Sequence, residues 1–241
     1  MKLFQCMQGW GKVICRPYSA ASMKLSPLQE AALEEQCILV DDDDKVVGHA
    51  SKHDCHRIGK DGSVLLHRAF SVFVFNSKNE LLLQKRSPHK ITFPNCFTNS
   101  CCSHPLHDIP GEREEKGSLG ILRAAQRRLH HELGIPPEQA ALKDLQYLTR
   151  IQYKANDVGV WGENEIDYII LLHKDVSLNP NYEEVNEVRY LAREQLDNFI
   201  KSDVVLTPWF RLITGYKLRD WWDNLHRIHN FRDHETIHKL N

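Results

Sequence analysis

An α+β domain built on a mixed sheet is the fold this sequence predicts, and three observations predict it. Short β-branched and aromatic runs sit between turn residues, one long segment carries helical spacing, and further helical segments return only near the C-terminus. At 241 residues the chain can bury a sizeable core as a single domain. Hydrophobic residues make up 41% and charged residues 26%, with a formal net charge of -1. That balance provides no global field toward nucleic acid or an acidic membrane, so any pull on an anionic ligand must be local. No apolar run reaches the roughly 20 residues that a bilayer crossing needs.

The elements follow in order. Before Glu30 there is no acid, while Lys2, Lys12, Arg16 and Lys24 punctuate a serine-containing stretch. That composition reads either as an organelle transit peptide or as a disordered tail, so residues 1–24 are set apart as an extension and 25–241 as the domain. Ser26-Pro27 starts a helix leading into Leu28 to Glu35. Cys37 to Val40 reads as a strand, Asp41 to Asp44 as a turn and Val46-Val47-Gly48 as its return. Four consecutive aspartates suggest a metal site, but a solvated turn is the commoner meaning of such a run. Ala69 to Phe75 and Glu80 to Lys85 flank Asn76-Ser77-Lys78-Asn79 and predict a second hairpin.

From Leu119 to Leu133 the pattern is helical, with Leu122, Ala125, Leu129 and Leu133 three or four residues apart and Gly134 and Pro136 at the end. Strands are expected at Leu145 to Tyr153 and Ile166 to His173, and helices at Arg193 to Lys201 and Trp209 to Ile228.

Seven cysteines, Cys6, Cys15, Cys37, Cys55, Cys96, Cys101 and Cys102, form no disulfide framework, and 14 histidines accompany them. Free thiols in a reducing compartment are the better reading. In Thr98-Asn99-Ser100-Cys101-Cys102-Ser103-His104-Pro105, an extended backbone would project Cys102 and His104 to one side. A reactive thiolate, a zinc ligand set and a buried polar turn are all compatible with that segment. Glu163 and Glu165, in Gly162-Glu163-Asn164-Glu165, would share one face of a strand. Two carboxylates held together require a cation or a shared proton; the alternative is a pair of exposed glutamates at a strand edge. Adding His56 and His67 to His104, Glu163 and Glu165 makes a donor set suited to zinc, manganese or magnesium. No CxxC pair supports a cysteine-only zinc site.

On the helix, Arg128 and Glu132 fall together at one edge of the apolar stripe, while Arg127 is expected to point to solvent. The pair is compatible with a plain i, i+4 ion pair. Yet Leu129-His130-His131-Glu132-Leu133-Gly134-Ile135, of the form U-x-x-E-x-G-U with U aliphatic, resembles the end of the Nudix helix, whose glutamates hold magnesium against a diphosphate. Here the remaining box positions carry Arg127-Arg128, His131, Arg113 and Leu119, so only Glu132 survives among the metal-binding carboxylates. Lys52, Arg86, Lys90 and Arg128 are the cations placed among these segments to meet an anion.

Together with Leu66-His67-Arg68-Ala69-Phe70-Ser71, Thr92-Phe93-Pro94, Thr207-Pro208-Trp209-Phe210 and Trp221-Trp222-Asp223-Asn224-Leu225, these motifs closely resemble the type I isopentenyl-diphosphate isomerases, those of animals in particular. The likeness runs from about residue 28 to the C-terminus. It implies a Nudix-type α/β/α sandwich with a mixed sheet. It also implies interconversion of isopentenyl and dimethylallyl diphosphate by protonation and deprotonation, within isoprenoid biosynthesis.

By the same resemblance His56, His67, His104, Glu163 and Glu165 would bind a first divalent ion, and Glu132 a magnesium that the substrate completes. Lys52, Arg86, Lys90, Ser103 and Arg128 would contact the diphosphate, and Trp209 would cover the hydrocarbon. Cys102, Glu165 and Tyr153 would be catalytic. Rival readings are a Nudix-type diphosphohydrolase and a non-catalytic zinc-stabilised module. The isopentenyl and dimethylallyl diphosphates are the expected partners of a monomer that neither binds nucleic acid nor inserts in membranes. The cytosol is the expected location, with mitochondrion and peroxisome as alternatives; the chain ends Lys239-Leu240-Asn241, unlike a serine-lysine-leucine signal.

Overall fold

The computed structural model describes residues 27–157 and 159–240. The extension assigned to residues 1–24 lies outside them. Helix α1 (Pro27–Leu33) leads into the hairpin of β1 (Gln36–Val40) and β2 (Val46–Ser51), followed at once by the short α2 (Lys52–His56). Strand β3 (His67–Phe75) is the spine of the sheet. One of its edges runs parallel to β8 (Gly162–His173) over its whole length. The other edge is divided among three antiparallel partners: β1 at His67, β6 (Cys101–Ser103) at Phe70 to Val72, and β4 (Leu81–Arg86) at Phe75. The predicted second hairpin therefore pairs only at its turn. Beyond it β4 leaves to meet β5 (Phe97–Thr98) and β9 (Val185–Leu191), because β6 occupies the edge it would have used. Strand β7 (Gln146–Asn156) extends the other side of β8, with β10 (Ile237–Lys239) parallel to it at the margin.

Both faces of the sheet are covered, which is why β3 is buried at every position. On one face α3 (Leu119–Leu133) packs Leu122, Ala125, Leu129 and Leu133 against Phe70, Val72, Val74 and Ile170. Its predicted limits are observed, and Gly134 ends it in the left-handed region at φ 64°. A Cβ there would also fall 2.3 Å from the Asn179 carbonyl oxygen, so no other residue fits without moving the backbone.

The opposite face carries α4 (Leu196–Lys201), α5 (Pro208–Tyr216) and α6 (Leu218–Asp223). The single helix expected from Trp209 to Ile228 is broken at Lys217, where φ is -135°, and its end from Leu225 is a 3-10 turn. The break lets the consecutive Trp221 and Trp222 pack edge-on against Phe73 and Phe75 of β3. This is a single α+β domain of the expected layered kind.

The aspartate run is a turn, as expected: Asp41 Oδ1 accepts the backbone N–H groups of Asp43 and Lys45. Its last member departs from the solvated reading. Asp44 is buried at φ 65°, its carboxylate bonded to Arg68 Nε at 2.7 Å, Arg150 Nη1 at 2.9 Å and the Tyr168 hydroxyl.

Candidate active site

Three histidines from three places in the chain converge on one oxygen. His56 ends α2, His67 opens β3 and His104 follows β6, and their Nε2 atoms lie 3.8, 3.3 and 2.9 Å from Glu165 Oε1. His56 Nδ1 sits 2.8 Å from the Lys52 carbonyl oxygen, and His67 Nδ1 2.9 Å from that of Leu65. A carbonyl can only accept, so both Nδ1 atoms carry a proton and both rings turn Nε2, the atom that would ligate a cation, toward the carboxylate.

All four groups are buried, and His67 Nε2 has no hydrogen bond of its own. Lone pairs facing a carboxylate repel unless a cation stands between them. The protein groups by themselves have opposed proton affinities. His104 is pushed down to about 4 by burial against the pull of Glu165. Burial opposes the charge on His67, but the Glu165 carboxylate 3.3 Å away raises it to about 9. The four donor atoms lie within 4.8 Å of one another, and the backbone bonds on the outer nitrogens are the outer shell that divalent metal sites use. The cluster suits a divalent ion.

Glu163 stands outside that group of four. Its carboxylate is 2.9 Å from the Tyr153 hydroxyl, which is also 2.5 Å from Glu165. Burial, and then the charge of Glu165, push Glu163 up to about 8. A hydroxyl between two carboxylates has one proton to give, so the second contact is complete only if one carboxyl keeps its own. Glu163, away from the imidazoles, is placed to keep it. The expectation that Glu163 and Glu165 share a face is realised within β8, which begins earlier than predicted because Gly162 to Glu165 pair with Tyr153 to Asn156.

These side chains line a buried pocket with Lys52, Arg86, Lys90, Cys102, Ser103 and Trp209. Cys102 comes from β6 and Glu165 from β8, which pair with opposite edges of β3, so thiol and carboxylate enter the pocket from either side of one strand. Burial raises the Cys102 thiol to about 12 against the opposing charge of Arg86, whose Nη1 lies 3.8 Å from the sulfur. Arg86 is held by the carbonyl oxygens of Thr92 and Phe93 and lies 5.5 Å from the Trp209 ring, which also packs on Tyr153 and Phe93. Cys101 points the other way, into the core under α3.

Arg128 and Glu132 form the expected pair on α3, with Nη2 to Oε1 at 2.6 Å, and stand behind the pocket wall rather than on it. Glu132 Oε2 accepts from Gln84, whose own amide oxygen is buried without a partner. Carboxylate and amide oxygens are the kind of donors a hard cation takes. Arg127 does not point to solvent as expected. It forks onto Glu112 at 2.6 and 2.9 Å and donates to the His104 carbonyl at 3.3 Å, bracing the segment that carries a histidine of the site.

The model of the NUDIX domain matches residues 65–210, more than half of the chain. Isopentenyl-diphosphate Delta-isomerase 1 of Mesocricetus auratus is 51% identical over 220 residues, 90% of this chain and 96% of its own length. The Gibberella zeae isopentenyl-diphosphate delta-isomerase is 52% identical over 197 residues, 80% of this chain and 78% of that one. The chain belongs to the type I isopentenyl-diphosphate Delta-isomerase family. A Deinococcus radiodurans protein, DR0079, shares the fold at a TM-score of 0.50 and 18% identity over 80% of this chain and all of that one. The depleted Nudix helix box is thus a feature of an isomerase-family chain on a Nudix scaffold.

Sequence reasoning missed three buried acids. Glu184 meets Lys90 and Arg128; Asp167 accepts from Ser71 Oγ at 2.8 Å beneath Glu165; Glu112 holds Arg127. Only the alternation of Glu163, Glu165 and Asp167 along β8 was there to be read.

Proposed function

We propose that this chain interconverts isopentenyl and dimethylallyl diphosphate, moving a proton onto one side of a five-carbon chain and off the other. The observation that carries the reading is the placement of the Cys102 thiol and the Glu165–Tyr153–Glu163 acid group in one buried pocket beside the Trp209 indole. Protonating an unactivated alkene gives a tertiary carbocation that water would capture, so acid and base must act in a closed site. Glu165 delivers the proton, replenished from Glu163 through the Tyr153 hydroxyl. Cys102 takes one from the carbon next to the cation, and the roles exchange in the reverse direction. Burial favours the neutral thiol and Arg86 favours the thiolate, so Cys102 can hold a proton in one direction and accept it in the other. Trp209 screens the cation and faces it with its ring.

A divalent ion held by His56, His67, His104 and Glu165, with zinc, manganese or magnesium all compatible, would supply positive charge that fixes Glu165 and lowers its proton affinity. Magnesium at Glu132 would supply charge to the diphosphate. Lys52, Arg86, Lys90 and Ser103 would contact that group from the pocket lining and Arg128 from behind it, with Arg86 also beside the thiol. No helix of the described residues is long and apolar enough to cross a membrane. The reading takes the protein as a cytosolic monomer, with mitochondrion or peroxisome the other compartments.

Incubation with isopentenyl diphosphate and magnesium in heavy water, read by NMR, tests the reaction. Dimethylallyl diphosphate carrying deuterium is the expected product. Absence of conversion by the fully metallated protein, with phosphate released from a nucleotide panel, would replace it by hydrolysis.

A further inference from the structure

Glu184, just before β9, is 2% exposed, yet three other elements close on its carboxylate. Oε2 is paired with Lys90 Nζ and lies 3.4 Å from Arg128 Nη2. Oε1 lies 3.4 Å from His131 Nε2 and 3.5 Å from Gln29 Nε2. The same Arg128 Nη2 is 2.6 Å from Glu132 Oε1, so two carboxylates share one guanidinium. Glu184 does not line the pocket; it stands behind Lys90, which does, and beside Arg128, which stands behind the wall as well.

Charge is what this arrangement adds. Lys52, Lys90 and Arg128 are near enough to oppose one another: burial, and after it the charges of Lys90 and Arg128, depress the Lys52 proton affinity. Arg86 is committed to two carbonyls and the thiol. Arg86 keeps its charge while bonded to carbonyls, and Lys52 faces Glu35 at 3.8 Å. Lys52, Arg86, Lys90 and Arg128, set against the carboxylates of Glu35, Glu132 and Glu184, leave this end of the pocket with a single net positive charge. An organic diphosphate carries more negative charge than that can balance, and a buried imbalance of charge is costly.

We propose that Glu184 is the counter-charge that makes the pocket select a magnesium diphosphate over the free diphosphate. It rests on the reading that Lys90 and Arg128 receive the diphosphate. Without Glu184 the cations would come one charge closer to balancing the bare anion. With it, the anion must arrive with a cation of its own, beside Glu132. Glu184 is a positioning and specificity residue, acting through Lys90 and Arg128 without touching substrate.

The test is calorimetric binding of inorganic pyrophosphate to the intact protein, with magnesium in excess and with magnesium replaced by monovalent salt at matched ionic strength. The quantity read is the ratio of the two dissociation constants, without magnesium over with it. Glu184→Gln lowers that ratio about tenfold, since it removes one repelling charge a few ångströms from the anion. Glu184→Asp, which keeps the charge, holds the wild-type ratio even if both affinities weaken. A merely structural role would weaken both conditions alike and leave the ratio unchanged, and a folded Glu184→Gln protein with the wild-type ratio overturns the proposal. Should that protein not fold, Lys90→Gln is compared with Lys90→Gln/Glu184→Gln, which removes both members of the buried pair. The second must show the lower ratio, and equal ratios overturn the proposal. Wild-type protein that binds no pyrophosphate in either condition overturns the diphosphate reading and this inference with it.

Discussion

Two buried acid centres occupy the same sheet and are built in opposite ways. Asp44 has Arg68, Arg150 and Tyr168 around its carboxylate, and its acceptors are matched by donors. Glu163, Glu165 and Asp167 stand on one face of β8, where carboxylates face each other and imidazole lone pairs, and Asp167 Oδ1 and His67 Nε2 have no hydrogen-bond partner. A satisfied cluster has nothing left to offer a ligand and serves the fold. An unsatisfied one is costly unless a cation or a moving proton completes it, so it marks where chemistry is done.

Breaking the second centre has the largest expected effect. Cys102→Ala or Glu165→Gln lowers kcat by about 100- to 10,000-fold, measured by NMR turnover, with the far-UV spectrum unchanged. Near-full activity in Cys102→Ala would sink the assignment of the thiol. Breaking the first centre reverses the pattern. Asp44→Asn, which tolerates the left-handed backbone, leaves Arg150 buried without a counter-charge and Arg68 with only the exposed Glu115, and costs about 3–5 kcal/mol in denaturant unfolding. The folded fraction keeps its wild-type kcat.

Metal removal sharpens the contrast, because only one of the two centres presents donors suited to a cation. Dialysis against chelator abolishes turnover and lowers Tm by about 5–10 °C, both restored by a divalent ion, and an Asp44→Asn protein responds by the same increment.

The smallest effect is in the acid limb of stability. Burial alone would raise Glu184, but Lys90, then His131 and Arg128, hold it well below the ordinary carboxylate range. A carboxylate depressed in the folded state adds stability above its unfolded pKa of about 4.3, and that stability is lost as pH falls from there toward the folded value. The stability gap between wild type and Glu184→Gln, read by melting, should therefore stay constant above about pH 5 and narrow progressively as pH falls below about 4.

Much of the site was legible because its chemistry is compact in sequence. Thr98 to Pro105, the Glu163/Glu165 pair and the degenerate helix box each keep their partners within a few residues, and α3 follows from apolar periodicity with a glycine stop. The two- and three-residue strands β5 and β6 were not legible, since pieces so short have no period and exist only because β4 and β3 offer them an edge. The fourth aspartate of the turn was read as solvated because its three partners lie 24, 106 and 124 residues away. Arg127 was assigned to solvent for a related reason: helical phase locates a side chain on its own helix but says nothing of Glu112 arriving opposite it.

By itself, then, the sequence determined the family, the layered α+β class, the long helix and the candidate donors at His56, His67, His104, Glu163 and Glu165. Local spacing and residue chemistry are enough for those. Only the tertiary structure decided which donors converge on one oxygen, that Glu163 joins Tyr153 outside that group, and which buried acids are neutralised by arginine. Those outcomes depend on strands far apart in the chain becoming neighbours across β3, and an ion pair or a lone-pair collision exists only once they do.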